Sequence, residues 1–136
     1  MFEAWHLDVL ASTRVARLGT ISADGRPHLV PVCFALCDDA VAIAIDEKPK
    51  RTSHLARLRN IERDPRVTLL VDHYEEDWTR LAWLRIDGRA EVLPRGDAWP
   101  EALVSLRLRY PQYVLMALEE RPLIRITPER ITAWRA

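Results

Sequence analysis

The chain has 136 residues, of which 49% are hydrophobic and 29% charged, a composition typical of one soluble globular domain. Twenty Lys and Arg balance twenty Asp and Glu. This argues against a general nucleic-acid binder, which usually carries a basic excess. No apolar run approaches the roughly 20 residues that span a membrane, and the acidic N-terminal segment is unlike a signal peptide. We therefore expect one cytoplasmic domain over residues 1–136.

The two cysteines, Cys33 and Cys37, lie four residues apart in what the pattern predicts to be one strand. On one strand their side chains would share a face but lie too far apart to bond, so we expect reduced thiols in a cytosolic protein. The four histidines show no metal-ligand spacing, and no His or Asp nearby completes a set with the cysteines. The sequence therefore predicts no metal site.

The first half of the chain predicts a short amphipathic helix and three strands. Asp24-Gly25 is a strong hairpin signal, because the turn needs a positive φ that Gly adopts at no steric cost. Asp38-Asp39 marks a second turn, so the three strands are expected to form an antiparallel meander. The predicted ranges are 2–11 for the helix and 14–22, 26–36 and 40–46 for the strands.

The second half predicts a helix that begins at Thr52 or Ser53 and ends near Arg63, because Asp64-Pro65 stops it. Only four glycines occur and no glycine-rich loop, which excludes dinucleotide-binding and P-loop folds. Hairpin-linked strands instead favour an antiparallel β-barrel with peripheral helices, because closure removes exposed edges. The other predicted ranges are strands at 66–74, 78–93 (with a bulge or turn at 87–88) and 122–134, and helices at 97–109 and 111–119.

The segment from Lys48 to Asn60 is basic and contains no acidic residue. On a helix, Ser53, Arg57 and Asn60 would share one face, opposite a buried stripe of leucine and isoleucine. That face and the helix N-terminus would offer donors and positive charge to a phosphate. A solvated helix face is the alternative. The segment's cations are Lys48, Lys50, Arg51, Arg57 and Arg59.

Two more residues are candidates for a site. Pro31 lies within a regular strand pattern, and since it has no N–H it belongs at a sheet edge, at a bulge, or where a ligand approaches the backbone. Trp78 follows an acidic loop at the predicted start of a strand, where it could stack on a planar ring, pack in the core or anchor an interface.

Two motifs resemble the pyridoxamine 5'-phosphate oxidase-like split barrels. Residues 19–28, GTISADGRPH, resemble the A-T-x-x-x-D-G-x-P-H opening of that family. Residues 57–67, RLRNIERDPRV, resemble its K-x-R-N-L-x-x-D-P-R-V signature, with Arg57 at the position that is usually Lys. Val71-Asp72 followed by Asp77-Trp78 is similar to the branch that uses the deazaflavin coenzyme F420.

The resemblance implies a mainly β, six-stranded antiparallel Greek-key split barrel that binds its cofactor at the interface of a homodimer. It implies that the second strand lies against the cofactor ring and the next strand lines the ribityl chain. Basic residues would then take the phosphate, and Trp78 would approach the ring from the partner subunit. The implied residues are Val30, Pro31 and Val32 for the ring, Ile45 and Asp46 for the chain, and Lys50, Arg51, Arg57 and Asn60 for the phosphate.

The leading hypothesis is therefore an oxidoreductase in which reduced coenzyme F420 passes a hydride to a small planar organic substrate. An FMN-dependent flavin reductase or oxidase, a non-catalytic cofactor carrier and a haem-handling split barrel are the alternatives. The charge of Lys48, Lys50 and Arg51 favours coenzyme F420, whose phosphate carries an acidic oligoglutamate tail. The sequence singles out no catalytic acid.

Overall fold

The computed structural model describes residues 1–46 and 52–136, with side chains from residue 56 onward in the second range. Within these ranges, no helix is both long and apolar enough to cross a membrane. The helices are α1 (Ala4–Ser12), α2 (Thr52–Arg63) and α3 (Pro100–Arg109). The strands are β1 (Ala16–Ile21), β2 (Pro27–Val32), β3 (Ala35–Cys37), β4 (Ala40–Ala44), β5 (Arg66–His73), β6 (Ala82–Leu93) and β7 (Leu123–Arg135).

The seven strands form one antiparallel sheet in the order β2-β1-β5-β6-β7-β4-β3. The consecutive strands β2 and β3 therefore lie at opposite edges. Val32 from one edge and Ile43 from β4, next to the other edge, pack in the same hydrophobic core, so the sheet curves around a shared core. The predicted class, a mainly β split barrel with peripheral helices, is confirmed, with seven strands instead of six.

Strand β4 is buried along its whole length because it is covered on both faces. Val41 and Ile43 point into the barrel core. Ala40, Ala42 and Ala44, which alternate with them, pack in a second core beneath α3, which contributes Leu103 and Leu106. Small side chains on that face leave room for a helix. Tyr110, Tyr113 and Leu118 from the segment after α3 pack in the same second core.

The predicted meander is wrong, because the run 26–36 is not one strand. It breaks after Val32, and the backbone N–H of Phe34 donates to the Tyr110 hydroxyl at 3.0 Å instead of to a neighbouring strand. The chain then crosses to the other edge and forms β3. Cys33 consequently lies in the crossover while Cys37 lies in β3, so the two cysteines do not share a strand.

Several local predictions are confirmed. Gly25 has φ +84° in the first hairpin turn, and Asp38 and Asp39 have φ 49° and 64° in the second. The β6–β7 register shifts at Asp87/Gly88. A Cβ on Gly88 would lie 2.4 Å from the Thr127 carbonyl oxygen, so the bulge requires a glycine.

Three other predictions need correction. Trp78 lies in a 3₁₀ turn, Trp78–Arg80, and not in a strand. The helix predicted to begin at 97 begins at Pro100, and Asp97 lies in the 3₁₀ turn Gly96–Ala98, where its carboxylate accepts from the Arg95 guanidinium. The predicted helix 111–119 is two 3₁₀ turns, Pro111–Tyr113 and Leu118–Glu120.

Candidate functional site

A pocket of about 390 Å³ opens between β2, at one edge of the sheet, and the end of β4. This volume falls within the range of small-molecule sites. Strand β2 and the crossover after it form one wall, the end of β4 and Asp46 form another, and single side chains from α2 and the turn Pro111–Tyr113 complete it. The lining residues are Val15, Val30, Pro31, Val32, Cys33, Ile43, Ala44, Asp46, Arg57 and Tyr113.

Five predicted site residues line this pocket together: Val30, Pro31, Val32, Asp46 and Arg57. They come from β2, from the segment after β4 and from α2, so the fold joins parts of the chain that are far apart in sequence. These residues combine apolar walls with one cation and one carboxylate. Such a pocket suits a ligand with a flat apolar body, an anionic group and hydroxyl groups.

Pro31 is tolerated because β2 is an edge strand. In the described sheet β2 pairs with β1 alone, with Pro31 opposite Arg17. An edge strand can do without one ladder donor. In the described sheet the other side of β2 has no strand partner, and Val30, Pro31 and Val32 of this strand line the pocket.

Helix α2 does not have the exposed donor face that the spacing predicts. Arg57 is 9% exposed and Asn60 is 5% exposed, as buried as Leu58 and Ile61 on the other face. The reason is that α2 packs against both β1 and β6, so two sides of the helix are covered. Arg57 nevertheless borders the pocket.

Asn60 joins α2 to the sheet. Its Nδ2 donates to Thr20 Oγ1 at 3.0 Å, and its Oδ1 accepts from Arg63 Nη2 at 2.8 Å. Both ends of the amide thus have partners within the chain, and Asn60 is not among the residues that line the pocket. Its role toward a phosphate stays a prediction, whereas its structural role is visible.

The other predicted residues lie elsewhere. Ile45 is fully buried in the barrel core and supports the strand end without lining the pocket. Trp78 is 67% exposed, with its Nε1 3.4 Å from the Tyr74 hydroxyl, and it is not part of this pocket wall. Lys50 and Arg51 lie outside the described residues, as does Lys48.

Tyr113 is a pocket residue that sequence reasoning missed. Its hydroxyl donates to Asp46 Oδ2 at 3.4 Å. Burial raises the pKa of this phenol, and the nearby Asp46 carboxylate and Cys33 thiol raise it further. Tyr113 therefore remains a protonated donor at physiological pH. No sequence motif marks it, because its partner is 67 positions away in the chain.

Comparison with known proteins agrees with this architecture. Residues 2–135 match the family described as "Pyridoxamine 5'-phosphate oxidase". The chain belongs to this family. The match covers nearly the whole chain and extends well beyond residues 19–67, which contain the two motifs.

A curated relative of similar sequence is the 5a,11a-dehydrotetracycline/5a,11a-dehydrooxytetracycline reductase of Streptomyces rimosus. It is 30% identical over 134 residues, which cover 98% of this chain and 82% of the reductase. Among solved structures, the conserved hypothetical protein Rv2991 from Mycobacterium tuberculosis has a TM-score of 0.79 at 28% identity, over 99% of this chain and 85% of its own. An FAD-binding protein from Mesorhizobium loti has a TM-score of 0.69 at 23% identity, over 97% and 94%.

Proposed function

We propose that this chain is an oxidoreductase that binds a flavin-type cofactor and transfers a hydride to or from a small organic substrate. Of the two candidate cofactors, we favour coenzyme F420 over FMN. The observation that carries the proposal is the pocket in which the free edge of β2 meets Arg57 and Asp46. It gathers, on one surface, the residue types that a tricyclic ring, a phosphate and a hydroxylated chain require.

The comparisons support the redox part of the proposal. The Streptomyces relative is a reductase of a polycyclic substrate, and its match covers most of both chains. The Mesorhizobium neighbour binds FAD on the same fold. We infer that the substrate here is likewise a planar, conjugated organic molecule, such as an enone.

Five residues of the pocket have a specific task in this proposal. The backbone of Val30, Pro31 and Val32 would lie against the ring, and the Arg57 guanidinium would bind the phosphate with a charge-assisted hydrogen bond. Asp46 would accept from hydroxyl groups of the chain. The apolar side chains of the pocket would exclude water from the reacting face. The bound cofactor supplies the hydride chemistry, while the protein binds and orients.

The preference for coenzyme F420 rests on the charge of the basic segment. Lys48, Lys50 and Arg51 precede α2 and would offer positive charge to an acidic tail beyond the phosphate. FMN has no such tail, so it would gain less from these cations. We also propose that the protein acts in the cytoplasm as a homodimer with two sites at the interface, to which Trp78 contributes from the partner subunit.

The test is a titration of the purified protein with coenzyme F420, FMN and haemin, followed by quenching of tryptophan fluorescence. Saturable binding of coenzyme F420 alone, followed by hydride transfer to an enone, supports the proposal, and binding of FMN alone supports the flavin alternative. Arg57→Ala should weaken cofactor binding by about tenfold or more, the loss of a hydrogen bond between charged groups. Arg59, exposed on the same helix, gives the matched control: Arg59→Ala should change affinity little.

Two results would refute the proposal. If the protein binds neither coenzyme F420 nor FMN, the proposal has no basis. Equal losses in the Arg57 and Arg59 variants would mean that general positive charge, and not the pocket, attracts the ligand. A protein that binds coenzyme F420 but transfers no hydride across a broad panel of conjugated substrates would be a carrier.

A further inference from the structure

The segment that follows α3 forms part of the pocket although no motif marks it. Tyr113 ends the turn Pro111–Tyr113, is 4% exposed and places its hydroxyl 3.4 Å from Asp46 Oδ2. Cys33 lines the same pocket and is near enough to contribute to the raised pKa of this phenol. Tyr113 therefore lies between the two walls of the pocket, the crossover after β2 and the segment after β4.

The position of Tyr113 is itself fixed from α3. Arg107 Nε donates to the Tyr113 carbonyl oxygen at 3.1 Å, and Arg107 Nη2 donates to the Met116 carbonyl oxygen at 2.8 Å. The guanidinium is held in turn by two hydrogen bonds to the Glu119 carboxylate, at 2.6 and 2.9 Å. Bidentate pairing of this kind fixes geometry as well as charge.

Asp46 is anchored at its backbone and leaves its side chain available. Arg121 Nη1 donates to the Asp46 carbonyl oxygen, which fixes the main chain where β4 ends. One carboxylate oxygen of Asp46 accepts the hydrogen bond from the Tyr113 hydroxyl, and Asp46 lines the pocket. A carboxylate can accept several hydrogen bonds, so it retains acceptor capacity toward the pocket.

We propose that Tyr113 is a positioning residue that orients the Asp46 carboxylate to accept a hydrogen bond from a hydroxyl group of the cofactor's polyhydroxylated chain. This inference rests on the proposed function and deepens it. The Asp46–Tyr113 pair would make the pocket selective for a ring that carries such a chain over the bare ring. It also assigns a binding role to the segment between α3 and β7.

The experiment compares a ligand that carries the polyhydroxylated chain with one that lacks it. Parent protein, Tyr113→Phe, Asp46→Asn and the double variant are titrated with the chain-bearing cofactor that the parent binds and with lumiflavin, which has the flavin ring without the ribityl chain. Asp39→Asn is the control, because Asp39 is exposed in the β3–β4 turn and Asn also tolerates positive φ. Thermal unfolding of each protein without ligand is measured in parallel.

Asp46→Asn should weaken binding of the chain-bearing cofactor by about tenfold and leave lumiflavin binding unchanged. Tyr113→Phe should produce a smaller loss for the same ligand. If Tyr113 acts through Asp46, the double variant should bind no more weakly than Asp46→Asn alone, the non-additivity expected of coupled residues.

Three outcomes would overturn the inference. They are unchanged affinity of either single variant, an equal loss for lumiflavin and the chain-bearing ligand, or additive losses in the double variant. Failure of the parent protein to bind any flavin or deazaflavin would instead remove the proposed function. Tyr113→Phe removes one oxygen and keeps the ring, so we expect the variant to fold. The thermal unfolding measurement checks this independently of ligand binding.

Discussion

The hydroxyl of Tyr110 accepts a hydrogen bond from the backbone N–H of Phe34 at 3.0 Å. It joins the end of α3 to the crossover that carries the chain from one edge of the sheet to the other. The hydroxyl also accepts from Arg109 Nε at 3.0 Å and lies 2.8 Å from the Arg14 carbonyl oxygen, to which it can donate. Both partners of the main bond are buried, so this contact fixes where β2 ends and where the pocket begins.

Tyr110→Phe should lower the free energy of unfolding by about 1–3 kcal/mol, because it leaves the buried Phe34 N–H without an acceptor. Urea unfolding of the protein without ligand measures the change. Tyr74→Phe is the matched control, since Tyr74 is 62% exposed and surface substitutions usually change stability by less than about 0.5 kcal/mol. Equal stability of the two variants would contradict a structural role for the Tyr110 hydroxyl.

Asn60 is predicted to stabilise the protein in the absence of any ligand. Its amide donates to Thr20 Oγ1, and both residues are buried, so Asn60→Ala should cost about 1–3 kcal/mol. Thr20→Val removes the same bond, and a double-mutant cycle should give a coupling of about 0.5–3 kcal/mol. Gln112→Ala, at an exposed amide, serves as control. A coupling near zero in urea unfolding would show that the bond contributes nothing to stability.

Local features of the fold could be predicted from sequence, whereas the features that depend on distant contacts could not. The turn at Gly25, the bulge at Gly88 and the end of α2 at Arg63 follow from neighbouring residues. The break after Val32 depends on Tyr110, which is 76 positions from Phe34. The hydrophobic pattern of residues 26–36 is typical of a strand. It does not show that the Phe34 N–H donates to the distant Tyr110 hydroxyl instead of to a neighbouring strand.

The candidate site divides in the same way. The two motifs and the resemblance identified β2, Asp46 and Arg57, which the fold brings to one pocket. Helical periodicity assigned Asn60 to an open face, but α2 lies between β1 and β6, so that face is covered. Tyr113 was not predicted, because only the packing of α3 on β4 brings its turn to the end of that strand.

The ion pair between Arg107 and Glu119 predicts a specific pH dependence. The hydrogen bonds from the Arg107 guanidinium are the main reason that the pKa of Glu119 falls from 4.5 to about 2. A carboxyl group whose pKa is lower in the folded state stabilises the fold above its unfolded pKa and loses that contribution as pH falls through its folded pKa. The contribution should therefore be complete above pH 4.5 and lost toward pH 2.

Glu119→Gln is the variant that tests this dependence. Its stability deficit relative to the parent should be constant above pH 4.5 and shrink as pH falls toward 2. Urea unfolding in a pH series across that window measures the difference. Glu91→Gln, at an exposed glutamate of β6, should show no comparable trend. A deficit that stays the same throughout the window would mean that the glutamine acts by packing and not by loss of charge.

Trp78 provides the test of the proposed dimer site. The side chain is 67% exposed in a turn held by Asp77, whose carboxylate accepts from the Thr79 N–H at 3.1 Å. Trp78→Ala should thus leave stability within about 0.5 kcal/mol of the parent. If Trp78 serves the pocket of the other subunit, the variant should nevertheless bind cofactor more weakly.

Subunit mixing separates this arrangement from one in which Trp78 serves its own chain. In a mixed dimer of Arg57→Ala and Trp78→Ala subunits, one site would combine the intact Arg57 of one chain with the intact Trp78 of the other. Random co-assembly should thus restore parental affinity at about a quarter of all sites, although each variant alone binds weakly. Mixing Arg57→Ala with the Arg57→Ala/Trp78→Ala double variant should restore none. No recovery in the first mixture, with mixed dimers verified by two affinity tags, would place Trp78 in its own subunit's site.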